Sequence, residues 1–287
     1  MNRDNSSLAY AELQPQDFLE ALEDLGFRCN GRLLALNSYE NRVYQVGIDD
    51  DDAVVAKFYR PNRWSDAAIL EEHGFTAELR EQEIPVVAPM VIHGTTLHKV
   101  GDFRVAVYPC RGGRAPDLDN FELLEQLGRF VARIHLVGAT GRFRHRPGID
   151  IDSYAIDSME YLLEHDFIPA ELLPAYESVA QNVIDGVEAS FDRTGDATQL
   201  RIHGDFHPGN VLVAGEQLHI VDFDDTRSGP AVQDLWMFLS GDRAEQLPQL
   251  SALLDGYTQF RDIDARELHL VEALRSLRIM HYAAWLA

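Results

Sequence analysis

Cysteine is almost absent from these 287 residues: Cys29 and Cys110 stand far apart and in no metal-ligand spacing. That pattern argues against a disulfide scaffold or a cysteine-based zinc site and fits a reducing compartment. Lysine is as scarce, with only Lys57 and Lys99 among 25 basic residues. No apolar run approaches the ~20 residues that a bilayer-spanning helix requires. The start, residues 1–10, is polar and lacks the basic-then-apolar order of a secretion signal. Positive charge is in deficit as well. Against 47 acidic residues, 25 basic ones leave a net charge of −22, a field that repels phosphodiester backbones and anionic membranes unless a basic patch offsets it, and none is visible. Neither nucleic acid nor membrane is expected as a partner, and the expected location is the cytoplasm.

What is present is a globular composition, 46% hydrophobic and 25% charged, in a chain too long for one small core, so two lobes of unequal size are expected. Residues 15–25 place Phe18, Leu22 and Leu25 on one helical stripe, opened by Pro15 and stopped by Gly26. Residues 33–36, 42–46 and 53–59 read as strands, 66–83 as a helix, and 86–92 and 103–108 as strands again. The stretch 109–114 breaks all periodicity. Beyond it, 121–136, 153–165, 171–193, 232–239 and 267–286 read as helices, around one short hairpin at 211–214 and 218–221. The expected fold is α+β, with a small antiparallel β-sheet lobe carrying one main helix over 1–108 and a larger, mostly helical lobe over 109–287.

The most polar stretch surrounds that hairpin: Arg201, Ile202, His203, Gly204, Asp205, Phe206, His207, Pro208, Gly209 and Asn210 before it, and Asp222, Phe223, Asp224 and Asp225 after it. With the turn centred near Gly215 and Glu216, Asn210 and Asp222 are expected to face each other at the open end of the ladder. There an amide oxygen and a carboxylate could share one hard divalent cation, with water and phosphate oxygens completing its shell. Asp205, on the loop before, is placed to orient a hydroxyl and accept its proton. Taken singly, Asp205 and Asp222 could equally be turn or capping residues. His203 and His207 are four apart, a zinc-like spacing, but Gly204 and Pro208 oppose the helix that would align them, so a buried, hydrogen-bonded His203 is expected instead. Lys57 lies mid-strand, and Glu72 on the following helix is expected to pair with it and ready the ammonium for phosphate oxygens; a solvated helix face is the alternative for Glu72.

His203, Gly204, Asp205, Asn210, Asp222 and Lys57 together resemble the aminoglycoside phosphotransferase and choline kinase group of the protein-kinase-like fold. More closely, the blocks Asn37-Ser38-Tyr39-Glu40-Asn41-Arg42-Val43-Tyr44, Lys57-Phe58-Tyr59-Arg60-Pro61 and Gly229-Pro230-Ala231-Val232-Gln233-Asp234-Leu235-Trp236 resemble the bacterial stress response kinase A family, over about residues 36–286. The resemblance implies a two-lobed, ATP- and Mg2+-dependent Ser/Thr protein kinase, monomeric and cytoplasmic, tied to survival under stress. It makes Asp205 the catalytic base, Asn210 and Asp222 the magnesium ligands, with Asp222 also counted as catalytic. Lys57 becomes the phosphate-binding lysine with Glu72 its partner, and Ser38 an ATP contact. Asp234 resembles the aspartate that braces the catalytic loop; the alternative is a cap of the helix after it. Adenine is expected against backbone near 107–110, where Pro109 has no N–H to offer.

Two departures from that pattern matter. Residues 37–41 contain no glycine, so the phosphate grip must come from the Ser38 hydroxyl and turn amides. The metal turn reads Asp222, Phe223, Asp224 instead of ending in glycine, and no long segment separates it from Gly229 and Pro230. No activation loop is therefore expected, and competence should be constitutive. The last helix ends without a stop signal where family members continue, so a C-terminal truncation is expected. A small-molecule alcohol kinase remains the rival within enzymes. A non-catalytic nucleotide-binding scaffold predicts loss of Lys57, Asp205, Asn210 or Asp222, and all are present.

Overall fold

The computed structural model describes residues 14–38 and 40–287. The N-terminal segment discussed above for its lack of a secretion signal, and Tyr39 of the 37–41 turn, lie outside the described residues. Contacts divide the chain into two compact units. The first runs to Pro116 and also takes in Gly209–Asp224; the second comprises Asp117–Pro208 and Asp225–Ala287. The polar hairpin thus packs with the sheet unit, not with the helical part of the chain in which the sequence places it.

The first unit is built on a five-stranded antiparallel sheet in the order β1-β2-β3-β5-β4, from β1 (Cys29–Ala35), β2 (Arg42–Ile48), β3 (Val54–Phe58), β4 (His98–Val100) and β5 (Phe103–Pro109). Helix α1 (Pro15–Asp24) starts at a capping box between Gln14 and Asp17 and has Pro15 in its first turn. Its apolar stripe buries Phe18, Ala21 and Leu22, and Phe18 packs on Phe58 and Tyr44 with ring centroids 4.7 and 4.1 Å apart. Helix α2 (Asp66–Glu81) is capped by Ser65, whose Oγ accepts from the Ala68 amide at 3.2 Å. β3 is covered on both faces, which is why its alternation is weak in the sequence and why Lys57 ends up buried.

Residues 86–92 do not form the expected strand. Pro85 and Pro89 remove donors from the segment, which makes only scattered pairings such as the Val87 amide to Ile220 (2.9 Å) and the Met90 amide to Val107 (2.7 Å). The hairpin does form, as β7 (Val211–Ala214) and β8 (Gln217–Ile220) around a turn in which Gly215 has φ 61°.

The second unit is helical around a two-stranded ribbon of β6 (Leu200–Ile202) and β9 (Arg227–Gly229). Its helices are α3 (Phe121–Gly138), α4 (Asp157–Glu164) behind a π-turn at Asp152–Ile156, α5 (Leu173–Thr194), the single turn α6 (Gln233–Trp236), α7 (Arg243–Tyr257) and α8 (Val271–Leu286). Helix α7 escapes the sequence pattern because it carries Pro248 and no clear apolar stripe. The last helix is shorter than expected, its first residues forming a 3-10 segment at Ala265–Leu270. Helices α3 and α7 cross at backbone contact: a Cβ on Gly128 would overlap the Leu253 carbonyl oxygen, and one on Gly256 that of Glu125.

Candidate active site

In the sheet unit the register of β3 places Lys57 opposite Val43 and Ala106, on a strand buried on both sides. Its Nζ lies 2.8 Å from Asp224 Oδ1 and 3.3 Å from Asp222 Oδ1, and 5.1 Å from the Tyr59 ring centroid. Burial by itself would drive the proton off this amine, but the charges of Asp224, Asp222 and Glu72 hold its pKa well above the ordinary lysine value. Glu72 is itself buried and lines the same cavity, so it is not a solvated helix face. It acts on Lys57 through its charge, whereas the ion pairs of Lys57 go to Asp222 and Asp224. This corrects the expected pairing with Glu72.

Asp224 reaches in two directions. Its Oδ2 accepts from Asn41 Nδ2 at 3.1 Å, while Asn41 Oδ1 accepts from the Arg60 amide at 3.0 Å and the Asn41 amide donates to Ser38 Oγ at 3.1 Å. The 37–41 turn is thereby tied down by side chains, which answers the missing glycines: this turn is fixed by polar bonds. Asp222 holds φ 61°, a left-handed conformation uncommon for a residue with a side chain, and is half exposed.

The hairpin register runs Val211↔Ile220 to Ala214↔Gln217. Asn210 therefore stands opposite Val221, whose amide donates to the Asn210 carbonyl at 3.0 Å, and Asp222 lies one residue further along. The expected Asn210–Asp222 opposition is off by one position, yet both line a single cavity of about 290 Å³ together with Ser38, Lys57, Glu72 and Tyr108. Another hollow, of about 360 Å³ over β1 and β2, contains none of these residues. Among the described residues no group of three or more His, Cys, Asp or Glu side chains is placed to hold a metal alone. The Asn210 amide and the Asp222 carboxylate fit a hard cation that completes its shell with phosphate or water oxygens, and they do not fit zinc.

In the helical unit, Asp205 is held on a loop whose backbone is gripped by Asp234. The Asp234 carboxylate accepts from the His203 amide through Oδ2 and from the Gly204 amide through Oδ1, both at 2.8 Å. His135 Nε2 lies 3.1 Å from the same Oδ2, and its Nδ1 lies 2.9 Å from the Tyr257 hydroxyl, so α3 and α7 share in the brace. Asp234 is thus a loop brace and more than a helix cap. Gly204 has φ 84°, and a Cβ there would overlap the Asp225 carbonyl oxygen, so both conformation and space demand glycine. His203 is buried with its ring 5.1 Å from that of Phe206.

Asp205 Oδ1 lies 2.5 Å from Arg278 Nη1 on α8, and Oδ2 lies 3.5 Å from His207 Nε2. Burial pushes the carboxyl up, but the bond to His207 and the charges of Arg278, His207 and His203 prevail and hold it at about 2, so it is ionised at neutral pH. Two participants went unrecognised in the sequence. Asp224 stands where a glycine was expected, which is the signal that could have found it. Arg278 lies far along the chain among other helix arginines, and no local pattern marks it.

A buried lysine among three acids and a hard-oxygen donor pair in the sheet unit, and a braced, ionised aspartate in the helical unit, are residue types suited to phosphoryl transfer. Residues 32–269 match the model of the phosphotransferase enzyme family described as APH. Stress response kinase A of Escherichia coli K12 is 42% identical over 98% of this chain and 85% of its own length. The serine/threonine protein kinase RdoA of Salmonella typhimurium LT2 is 39% identical over the same shares. Among solved structures, the amicoumacin kinase hAmiN in complex with AMP-PNP, Ca2+ and Ami superposes with a TM-score of 0.80 at 21% identity, covering 96% of this chain and 86% of that one. The chain belongs to the phosphotransferase enzyme family and, within it, to the stress response kinase A family, and its α+β fold is protein-kinase-like.

Proposed function

We propose that this protein transfers the γ-phosphoryl group of ATP, with Mg2+, to serine and threonine hydroxyls of proteins, as a cytoplasmic monomer serving a stress response. The observation that carries this reading is the ion pair between Lys57 and Asp222, residues distant in sequence that share one cavity with Ser38 and Asn210. The 39% identity to a relative named as a serine/threonine protein kinase favours a protein acceptor. Residues 1–108 would serve as the nucleotide-binding part, joined by the hairpin, and residues 109–287 as the catalytic and substrate part.

Lys57 would bind α- and β-phosphate oxygens, kept cationic by Asp224 and Glu72. Ser38 would contact the phosphates through its hydroxyl and the amides of its turn. Asn210 and Asp222 would hold magnesium, which when bound neutralises charge on the transferring group. Asp205 would orient the acceptor hydroxyl. With a carboxyl pKa of about 2 it is a weak base, so its work is mainly orientation, and it takes the proton only as the new P–O bond makes the hydroxyl acidic.

A second reading, phosphorylation of a small alcohol, is favoured by the similarity in fold to an amicoumacin kinase. Labelled-phosphate transfer from ATP to generic proteins, run beside a panel of small alcohols, separates the two. Asp205→Asn should leave ATP binding intact and lower turnover by about 10²–10⁴-fold, whereas Asp222→Asn should also weaken magnesium-dependent ATP binding. Undiminished turnover in Asp205→Asn would remove the assigned role.

A further inference from the structure

We infer that Arg278 is a positioning residue for phosphoryl transfer: it clamps one oxygen of the Asp205 carboxylate, so that the other is presented to the acceptor hydroxyl. The inference rests on the reading of Asp205 as the group that receives that hydroxyl.

The two carboxylate oxygens of Asp205 are not equivalent. Oδ1 is fully buried and sits 2.5 Å from the Arg278 guanidinium, so no acceptor can reach it without displacing the arginine. The Asp205 side chain nevertheless keeps 19% of its surface exposed, which leaves the Oδ2 edge, 3.5 Å from His207, as the side open to a substrate. A guanidinium is a planar donor that fixes a carboxylate's rotation as well as its charge, which a mobile ammonium does not do.

Helix α8 is rigidly seated where it delivers this contact. Ala273, Leu274 and Leu277 are buried in the core of the helical unit, so Arg278 projects from a fixed surface. One turn on, the His281 ring stacks on Tyr154 at 4.5 Å, and one turn back the Arg275 guanidinium lies 5.4 Å from the Trp236 ring centroid, on the same short helix as the brace Asp234. The same face of α8 therefore supports both the aspartate and its surroundings. The charged and titratable groups facing Asp205 are His203 and His207 from its own loop, Arg278 from α8, and Arg227 from β9, itself paired with Asp225 at 2.6 Å.

The test uses the full chain with Arg278→Met and Arg278→Lys. Arg278→Met should lower kcat by about 10²-fold with ATP affinity unchanged, and should move the acid limb of the kcat/KM profile upward, because burial then acts on Asp205 with less opposition. The Asp205 carboxyl, followed by carbon NMR, should titrate at correspondingly higher pH. Arg278→Lys should restore the acid limb but recover kcat only in part. Should the methionine variant fail to fold, Arg278→Gln, a neutral donor of similar length, carries the same comparison. An unmoved carboxyl titration, or ATP affinity falling in parallel with kcat, would overturn the inference. Failure of the underlying reading shows separately: Asp205→Asn would keep its turnover while the carboxyl titration still responded to Arg278.

Discussion

Lys57 Nζ stands closer to Asp224 Oδ1, at 2.8 Å, than to Asp222 Oδ1, at 3.3 Å. The acid in the position where a kinase metal turn carries glycine is thus the nearest counter-charge of Lys57. Asp224 also holds the Asn41 side chain, whose Oδ1 accepts from the Arg60 amide while the Asn41 backbone amide donates to the Ser38 hydroxyl, so one buried carboxylate joins β3, the turn before β2 and the turn after β8. A glycine here could do none of this. The glycine-free turn at 37–41 and the presence of Asp224 are two sides of one arrangement.

Replacing Asp224 with alanine should therefore act on nucleotide binding. Removing one partner of a buried pair leaves the other charge poorly compensated, and the 37–41 turn loses its anchor. The affinity for magnesium-ATP, measured by calorimetric titration, should fall at least about tenfold, equivalent to the ~1.4 kcal/mol that one such contact readily carries. Asp224→Asn, which can still accept from Asn41 but carries no charge, should fall between. Equal affinity in all three proteins would show that Asp224 is a bystander.

Asp234 invites a different measurement, because its role is in the scaffold. Its carboxylate satisfies two consecutive buried amides and faces His135, so Asp234→Ala strands donors that nothing else can reach. A loss of about 3 kcal/mol in urea unfolding is expected, with turnover reduced through the loosened Asp205 loop. A variant as stable as the parent would mean that the loop is held by other means.

Much of this was legible in the residues, and the limits have physical causes. Strands β2, β3 and β5, helices α1, α2, α3 and α5 and the hairpin follow from periodicity and turn chemistry, because each has one apolar face or a sharp boundary. Short pieces such as β4, β6 and β9 were not, since three residues carry no period. Helix α7 was hidden by Pro248. Lys57, Ser38, Glu72, Asn210 and Asp222, which line one cavity of the sheet unit, and Asp205, on a loop of the helical unit, all stand in local sequence motifs that single them out. Arg278 and His135 act through tertiary contacts, for which one sequence holds no signal, and the one-residue error in the Asn210 register arose although the turn was centred correctly on Gly215 and Glu216: that centre pairs position 210 with 221, not with 222.

The contact of α3 with α7 offers a test of packing that leaves the chemistry alone. Gly128 and Gly256 each face a carbonyl oxygen of the opposite helix with no room for a methyl group. Alanine is the better helix former, so propensity alone predicts stabilisation of about 1 kcal/mol. Overlap with backbone predicts the reverse, a loss of about 1–3 kcal/mol as the helices are forced apart. Thermal unfolding of Gly256→Ala decides between them: a raised midpoint would show that the helices can separate at little cost.

Acid stability should report the environment of Asp205 directly. Its folded pKa is about 2 against 3.8 for an unperturbed aspartate, so the folded state binds the proton more weakly than the unfolded chain. The resulting stabilisation is complete above the unfolded value and disappears as pH falls through the folded one. The shift corresponds to about 2 kcal/mol. Asp205→Asn cannot ionise and lacks this dependence. The stability difference between parent and variant, from denaturant unfolding, should be constant above roughly pH 5 and shrink toward pH 2. A difference that stays level through the acid range would mean that Arg278 and His207 do not depress this carboxyl, and the picture of a clamped, permanently ionised aspartate would have to be abandoned.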